Sequence, residues 1–305
     1  MKKVLFFKIN DILVLIRVKH WVKNGFVFAP LIFSFHLFEQ NYCLITLQAF
    51  FAFCFLSSIV YIINDIADIE QDKNHPVKKN RPLPSGRIST SSALLILFVL
   101  FALLLITVYG LNEKFILALI TYFVVNLLYS FKLKQVVLID IFIIAFGFMI
   151  RIIAGGWVIN VHISSWLILC TLFLSLFLAI TKRRSELAVL ENGSNMTRKV
   201  LDDYSIEFAD QMATIVAAGA VISYALYTVS ERTLETFHTE NLIFTTPFVV
   251  YGIFRYLYLV HKKQMGENPT QILTTDLPLI INIFLWLLSS ILIIYKEKIN
   301  LRIFS

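Results

Sequence analysis

Charge is what this sequence has least of. Of its 305 residues only 15% are Asp, Glu, Lys or Arg, against ~25% in an ordinary soluble domain, which excludes such a domain. Cysteine is also scarce. Cys43, Cys54 and Cys170 lie in apolar runs without a pairing pattern, so they read as inert packing residues and not as a disulfide framework. The histidines, at 20, 36, 75, 162, 238 and 261, show no metal-ligand spacing and read as interfacial. No Gly/Ser- or Pro-rich linker divides the chain and no solenoid-length repeat is visible, so one membrane domain over 1–305 is expected. A cleavable signal peptide is not expected, because the apolar run after Lys2 and Lys3 breaks at Lys8, Asn10 and Asp11.

What remains is apolar: 58% of residues are hydrophobic and 28 are Phe. A membrane span needs ~20 mostly apolar residues, and nine runs approach that length, near 21–38, 43–63, 92–110, 114–131, 138–159, 164–181, 212–229, 243–261 and 277–295. They are continuously apolar, not alternating, which predicts helices and not barrel strands. The expected fold is an all-α polytopic bundle of about nine transmembrane helices. Residues 4–18 mix Leu, Ile, Phe and Val with Lys8, Asp11 and Arg17, which predicts an amphipathic helix on the membrane surface within 1–20.

The net charge of +7 suggests nucleic acid only until the charges are placed. With nine spans, 20 of the 27 bases fall on the side of the N-terminus. The positive-inside rule then puts the N-terminus in the cytoplasm and the C-terminus on the outer side of a plasma membrane. The cytoplasmic connections are 64–91, 132–138, 182–211 and 262–276, and polar chemistry concentrates there. The excess charge is topology, so no nucleic-acid partner is expected.

One stretch stands apart: "YIINDIADIEQDKNHPVKKNRPLPSGR", Tyr61–Arg87. Asp65, Asp68 and Asp72 stand at i, i+3 and i+7, on one face of a helix continuing from the second span, with Asn64 one turn before Asp68. Three carboxylates and an amide oxygen form a hard-oxygen site suited to Mg²⁺, with Mn²⁺ as an alternative. The plainer reading is a solvated helix end with i,i+4 pairs. Lys78, Lys79 and Arg81 follow at once, however. Acids plus bases can hold a magnesium–diphosphate, the metal on one side and the phosphates on the other.

These residues, with "HWVKN" (His20–Asn24), "YSFKLK" (Tyr129–Lys134), "RIIAGG" (Arg151–Gly156), "KRRSEL" (Lys182–Leu187), "FRYLYLVH" (Phe254–His261) and "NPTQILTTDLPL" (Asn268–Leu279), resemble the UbiA-type intramembrane transferases. Within them they resemble the branch that moves phosphoribosyl groups. The resemblance runs in order over nearly the whole chain and implies a helical bundle whose cytoplasmic cavity binds a magnesium–diphosphate. The commoner aromatic prenyltransferases of this family carry a second D-x-x-x-D motif after the sixth span. Here that connection begins "TKRRSELAVLEN", basic where theirs is acidic, which fits a second anionic substrate. Asp203 and Glu207 keep D-x-x-x-E spacing; they read as the exposed start of the seventh helix, but they keep prenyl-diphosphate chemistry open as the alternative.

The resemblance implies phosphoribosyl diphosphate as donor and a polyprenyl phosphate as acceptor. Asn64, Asp65, Asp68 and Asp72 would hold the metal, and Lys78, Lys79 and Arg81 the leaving diphosphate. Lys132, Lys134, Lys182 and Arg183 would divide between the ribose 5-phosphate and the lipid phosphate. Tyr129 closes the fourth span beside these lysines, which also serve as positive-inside anchors. Asp140 opens the fifth span, where an ionisable group is costly; it is expected to order the lysines or the ribose hydroxyls. Arg151, eleven residues on, shares its helix face at ~16 Å by helical rise, too far for a salt bridge, and either lines the cavity or pairs with another helix. Lys182 and Glu186 are one turn apart. Trp21, Lys23 and Asn24 open the first span as interfacial anchors, with Lys23 and Asn24 as contacts for a lipid phosphate. Association with further copies of the chain stays open. A transporter built on Asp140 and Arg151 is the rival from another class, but most charges gather at one surface and not at the midplane.

Overall fold

The computed structural model describes residues 9–74, 78–191, 199–263, 269–296 and 298, and all regular structure among them is helical. Eight helices are long and apolar enough to cross a membrane. They are α1 (Gln40–Ala67), α2 (Thr90–Val108), α3 (Glu113–Phe131), α4 (Ile139–Val158), α5 (Ser165–Glu191), α6 (Ile206–Val229), α7 (Thr246–Lys263) and α8 (Leu277–Ile294). Polar side chains close several of their first turns: Asn112 accepts from the Phe115 amide, Ser205 from Phe208 and Asp276 from Leu279. Each satisfies an amide that the helix itself leaves without a partner.

The ninth span expected over 21–38 takes another form. Val18–Phe28 is a 3-10 helix, followed by one α-turn at Ala29–Ile32 with Pro30 in its first turn. The segment still runs the depth of the bundle. Trp21 donates to Ser58 of α1 at one end, and Leu37 donates to the Tyr295 hydroxyl, just past α8, at the other. A 3-10 helix rises ~2.0 Å per residue against ~1.5 Å for an α-helix, so fewer residues cover the depth. It also eclipses side chains three apart. Trp21 and Asn24 therefore share one face against α1, where Asn24 donates to Ser57 and Cys54 at 3.3 Å.

Of the surface segment expected over 1–20, residues 1–8 lie outside those described. Ile9–Leu15 is a short α-helix that buries Leu15 and exposes Ile9, Leu13 and Val14. Residues 18–20 already belong to the 3-10 helix.

The core forms two main clusters, which α4 touches from both sides. One gathers Phe53, Leu56 and Ile62 of α1 with Phe115 and Tyr122 of α3 and Ile150 and Ala154 of α4. The other gathers Ile141 and Ala145 of α4 with Phe177 and Ile180 of α5, Ala213 and Ala217 of α6, and Tyr256 of α7. Small residues on α4 permit its central place, as in membrane bundles generally. A Cβ on Gly155 would run into the Val27 carbonyl, which is how closely the 3-10 segment approaches.

A buried ion pair joins α4 to α5. Arg183 Nε donates to Asp140 Oδ2 at 2.6 Å, and neither side chain is more than 1% exposed. The Tyr204 hydroxyl donates to Asp140 Oδ1 and accepts from the Leu138 amide, both at 2.9 Å. Leu138 has φ 64°, a conformation costly for a bulky residue, so Tyr204 braces a strained turn as well as the carboxylate.

Three single substitutions and one double variant test this packing by thermal unfolding in detergent. Gly155→Ala is expected to destabilise the protein by about 1–3 kcal/mol through overpacking. Gly25→Ala, with nothing within 4 Å of its added carbon, is expected to be near neutral. Arg183→Met strands a buried carboxylate and is expected to cost about 3–5 kcal/mol, with much of that recovered in the Asp140→Leu/Arg183→Met double variant. Equal loss in single and double variants would show that the pair is not what joins the helices.

Candidate active site

The acidic stretch does not continue α1 as an unbroken helix. Asp68, at φ −96° and ψ 8°, interrupts it, and a short helix resumes over Ile69–Lys73. The break keeps Asp65 and Asp72 together, 3% and 1% exposed, while Asp68 stays more open. Arg81 Nη1 lies between the buried pair, 2.7 Å from Asp72 Oδ2 and 3.2 Å from Asp65 Oδ1. Arg17 Nη2 meets the same Asp65 oxygen at 2.5 Å, with its guanidinium 4.3 Å from the centre of the Tyr61 ring. Lys78 stands 3.7 Å from Asp72, and Lys134, from the connection after α3, stands 3.8 Å from Asp68. Lys79 and Lys132 are exposed.

No three His, Cys, Asp or Glu side chains among the described residues stand ready to chelate one ion. The reason is visible: Arg81 takes the place between Asp65 and Asp72 that a cation would take. One atom nevertheless fits a metal. Asn64 Oδ1 is sealed from solvent and accepts no hydrogen bond, and an unsatisfied buried acceptor is costly. Asn64, Asp65, Asp68 and Asp72 offer only oxygen donors, the kind that hard divalent cations prefer.

The second constellation lies on α3, α4 and α5. Arg183 reaches Asp140, Glu186 Oε2 at 2.7 Å and the Tyr129 hydroxyl at 3.4 Å, while Lys182 stands 3.7 Å from Glu186. Asp140 therefore touches Arg183 and Tyr204, not the lysines it was expected to order, because the Leu138 turn points it into the α4–α5 junction. Arg151 lies deeper, 6% exposed, bonded to Asn24 Oδ1 at 2.7 Å, to the Tyr122 hydroxyl at 3.0 Å and to the Gly147 carbonyl. It is far from Asp140, as helical rise requires. Asp203 and Glu207 are both exposed, as expected, but only Glu207 lies in the first turn of α6; Asp203 ends the 3-10 turn Lys199–Asp203 before it. Arg255 grips Asp276 with two nitrogens, at 3.1 and 2.8 Å, and this hydrogen bonding holds the Asp276 carboxyl below the usual carboxylate range.

Three residues of this region escape sequence reasoning. Arg17 reads as part of a surface helix and Tyr204 as part of a connection, and neither carries a local signal of its partner. His20 reads as interfacial. In the structure it packs edge-on to Tyr61 with its Nδ1 sealed and without a partner, and the charges acting on it are Lys23, Arg17, Lys182 and Arg81.

Comparisons with known proteins agree with this architecture. The family model described as the UbiA prenyltransferase family matches residues 27–288. The chain is 30% identical to decaprenyl-phosphate phosphoribosyltransferase of Mycolicibacterium smegmatis over 92% of its length and 91% of the relative's. It is 31% identical to the enzyme of that name from Corynebacterium glutamicum, over 92% of its length and 85% of the relative's. A UbiA homologue from Archaeoglobus fulgidus, solved bound to GPP and Mg²⁺, superposes with a TM-score of 0.68 at 21% identity, covering 93% of this chain and 99% of that one; this likeness shows the fold alone. With its eight apolar spans the protein is a multi-pass membrane protein. From the family match and these relatives it follows that the chain belongs to the UbiA prenyltransferase family.

Proposed function

We propose that the protein transfers the 5-phosphoribosyl group of phosphoribosyl diphosphate to a polyprenyl phosphate and releases diphosphate. The observation that carries this reading is the composition of the polar end. Asp65 and Asp72 form one carboxylate cluster bridged by Arg81, and the end of α5 carries Lys182, Arg183 and Arg184 where the prenyltransferases that the sequence resembles place their second acids. The names of the relatives support the choice of substrates. The polar end then faces the cytoplasm of a plasma membrane, with the N-terminus on that side.

In the reaction an oxygen of the acceptor phosphate attacks C1 of the ribose as the bond from C1 to the diphosphate oxygen breaks. That phosphate is already a competent nucleophile, so no general base is required. C1 passes through an oxocarbenium-like state of the kind met in glycosyl transfer, and in-line attack inverts it. Mg²⁺, or Mn²⁺ on the same oxygen donors, would be held by Asn64, Asp65, Asp68 and Asp72 and would supply positive charge to the leaving diphosphate. Arg81, Arg17 and Lys78, now on the carboxylates, are positioned to offset the charge that develops on the same group. Lys134 ties the connection after α3 to Asp68 and so sets where the acceptor lies relative to the donor. The chain's contribution is positioning and charge, which suffices for a reaction with reactive partners.

The test supplies purified protein in liposomes with labelled phosphoribosyl diphosphate or labelled prenyl diphosphate, with polyprenyl phosphate present. Organic-extractable label is expected from the first donor and not the second, and chelation of divalent metal is expected to abolish it. Asp68→Ala and Asp72→Ala are each expected to lower turnover by about a hundredfold or more while the protein still inserts and melts cooperatively. Label from prenyl diphosphate alone, or full activity in both variants, would overturn the reading.

A further inference from the structure

Among the described residues Lys23 has no acceptor. It is partly buried on the 3-10 helix. Among the described residues no hydrogen bond or ion pair engages its ammonium, and the charges acting on it are Arg151 and Arg17, both cations. Arg151 is no better compensated. Its partners are the Asn24 and Gly147 oxygens and the Tyr122 hydroxyl, and its guanidinium lies 4.7 Å from the Tyr122 ring centre and 5.7 Å from those of Phe53 and Phe148. All of these are neutral. Asn24, next in the chain to Lys23, joins the two by its bond to Arg151.

The acids of the polar end and of the α4–α5 junction are engaged elsewhere. Asp65 and Asp72 bind Arg17 and Arg81, Asp68 faces Lys134, and Asp140 is sealed against Arg183. Among the described residues, Lys23 and Arg151, linked through Asn24, thus have no anionic partner from the chain. Isolated charge in such surroundings is expensive, and a fold that keeps two alike without a counter-charge gains from an anionic ligand that supplies it.

We propose that Lys23 and Arg151 form the seat of a phosphate monoester, distinct from the carboxylate cluster. Arg151 offers directional N–H donors and Lys23 a point charge, the pairing that phosphate recognition commonly uses. A monoester fits where a diphosphate does not, because no carboxylate lies there to share a metal with it. The site rests on the proposed reaction, in which both substrates carry such a group: the 5-phosphate of the donor and the phosphate of the acceptor lipid. The aromatic rings beside Arg151 are compatible with either, so the experiment distinguishes them.

The experiment compares thermal unfolding of wild-type protein and Lys23→Met in detergent, alone and with ribose 5-phosphate or farnesyl phosphate. Without ligand, Lys23→Met is expected to melt above wild type, because it removes a repulsion; a merely structural lysine would give the opposite shift. Wild type is expected to be stabilised by one of the two monoesters, and the one that acts identifies the source. Its affinity is expected to fall about tenfold or more in the variant. Lys23→Gln serves as a second variant should Lys23→Met fail to fold. Stabilisation of wild type by neither compound, or equal stabilisation of wild type and variant, overturns the site. Because turnover is not needed for this readout, its failure is separate from a failure of the labelled-donor assay, which bears on the reaction itself.

Discussion

Arg81 between Asp65 and Asp72 is the interaction on which the polar end depends. Two carboxylates with almost no solvent exposure are costly to place side by side without a cation between them. The guanidinium allows both to be buried at the end of α1. In doing so it keeps the oxygens of both carboxylates together at that end of the helix. The same pairing makes the site exchangeable: the bases that hold the acids are of the type that also holds phosphate.

Charge pairing follows a gradient along the bundle. At the polar end acids and bases are matched in chains, Arg17 to Asp65 to Arg81 to Asp72 to Lys78. At the α4–α5 junction Arg183 has two carboxylates and two tyrosine hydroxyls nearby and is spent on holding helices together. Deeper, around Lys23 and Arg151, the described residues supply cations and no acid bonded to them. One bundle thus contains a self-compensated region, a structural pair and an uncompensated pair, and only the last lacks an internal reason for its charge.

Much of this was legible beforehand. The apolar runs located all eight membrane helices, because span length follows from bilayer thickness and not from tertiary detail. The sequence marked Asp65 and Asp72 as neighbours but not the break at Asp68 that leaves this third acid more open, and the exposed character of Asp203 and Glu207 was read correctly. The form of 21–38 was not legible. Its composition suits an α-helical span, and what makes it 3-10 is the approach of Val27 to Gly155 and the contacts of Trp21 and Asn24 with α1. The partner of Asp140 was not legible either, since the lysines lie nearer in sequence than Arg183 does.

The sequence by itself determined the solvent, where the eight long helices lie and the end of the bundle where charge collects. Those depend on hydrophobicity and short-range spacing, which are written locally. Tertiary structure decided which base meets which acid, that His20 and Arg17 belong to the polar site, and that Lys23 and Arg151 are left without a counter-charge. Those depend on side chains brought together from segments many tens of residues apart, and at such separations no local pattern records the partner.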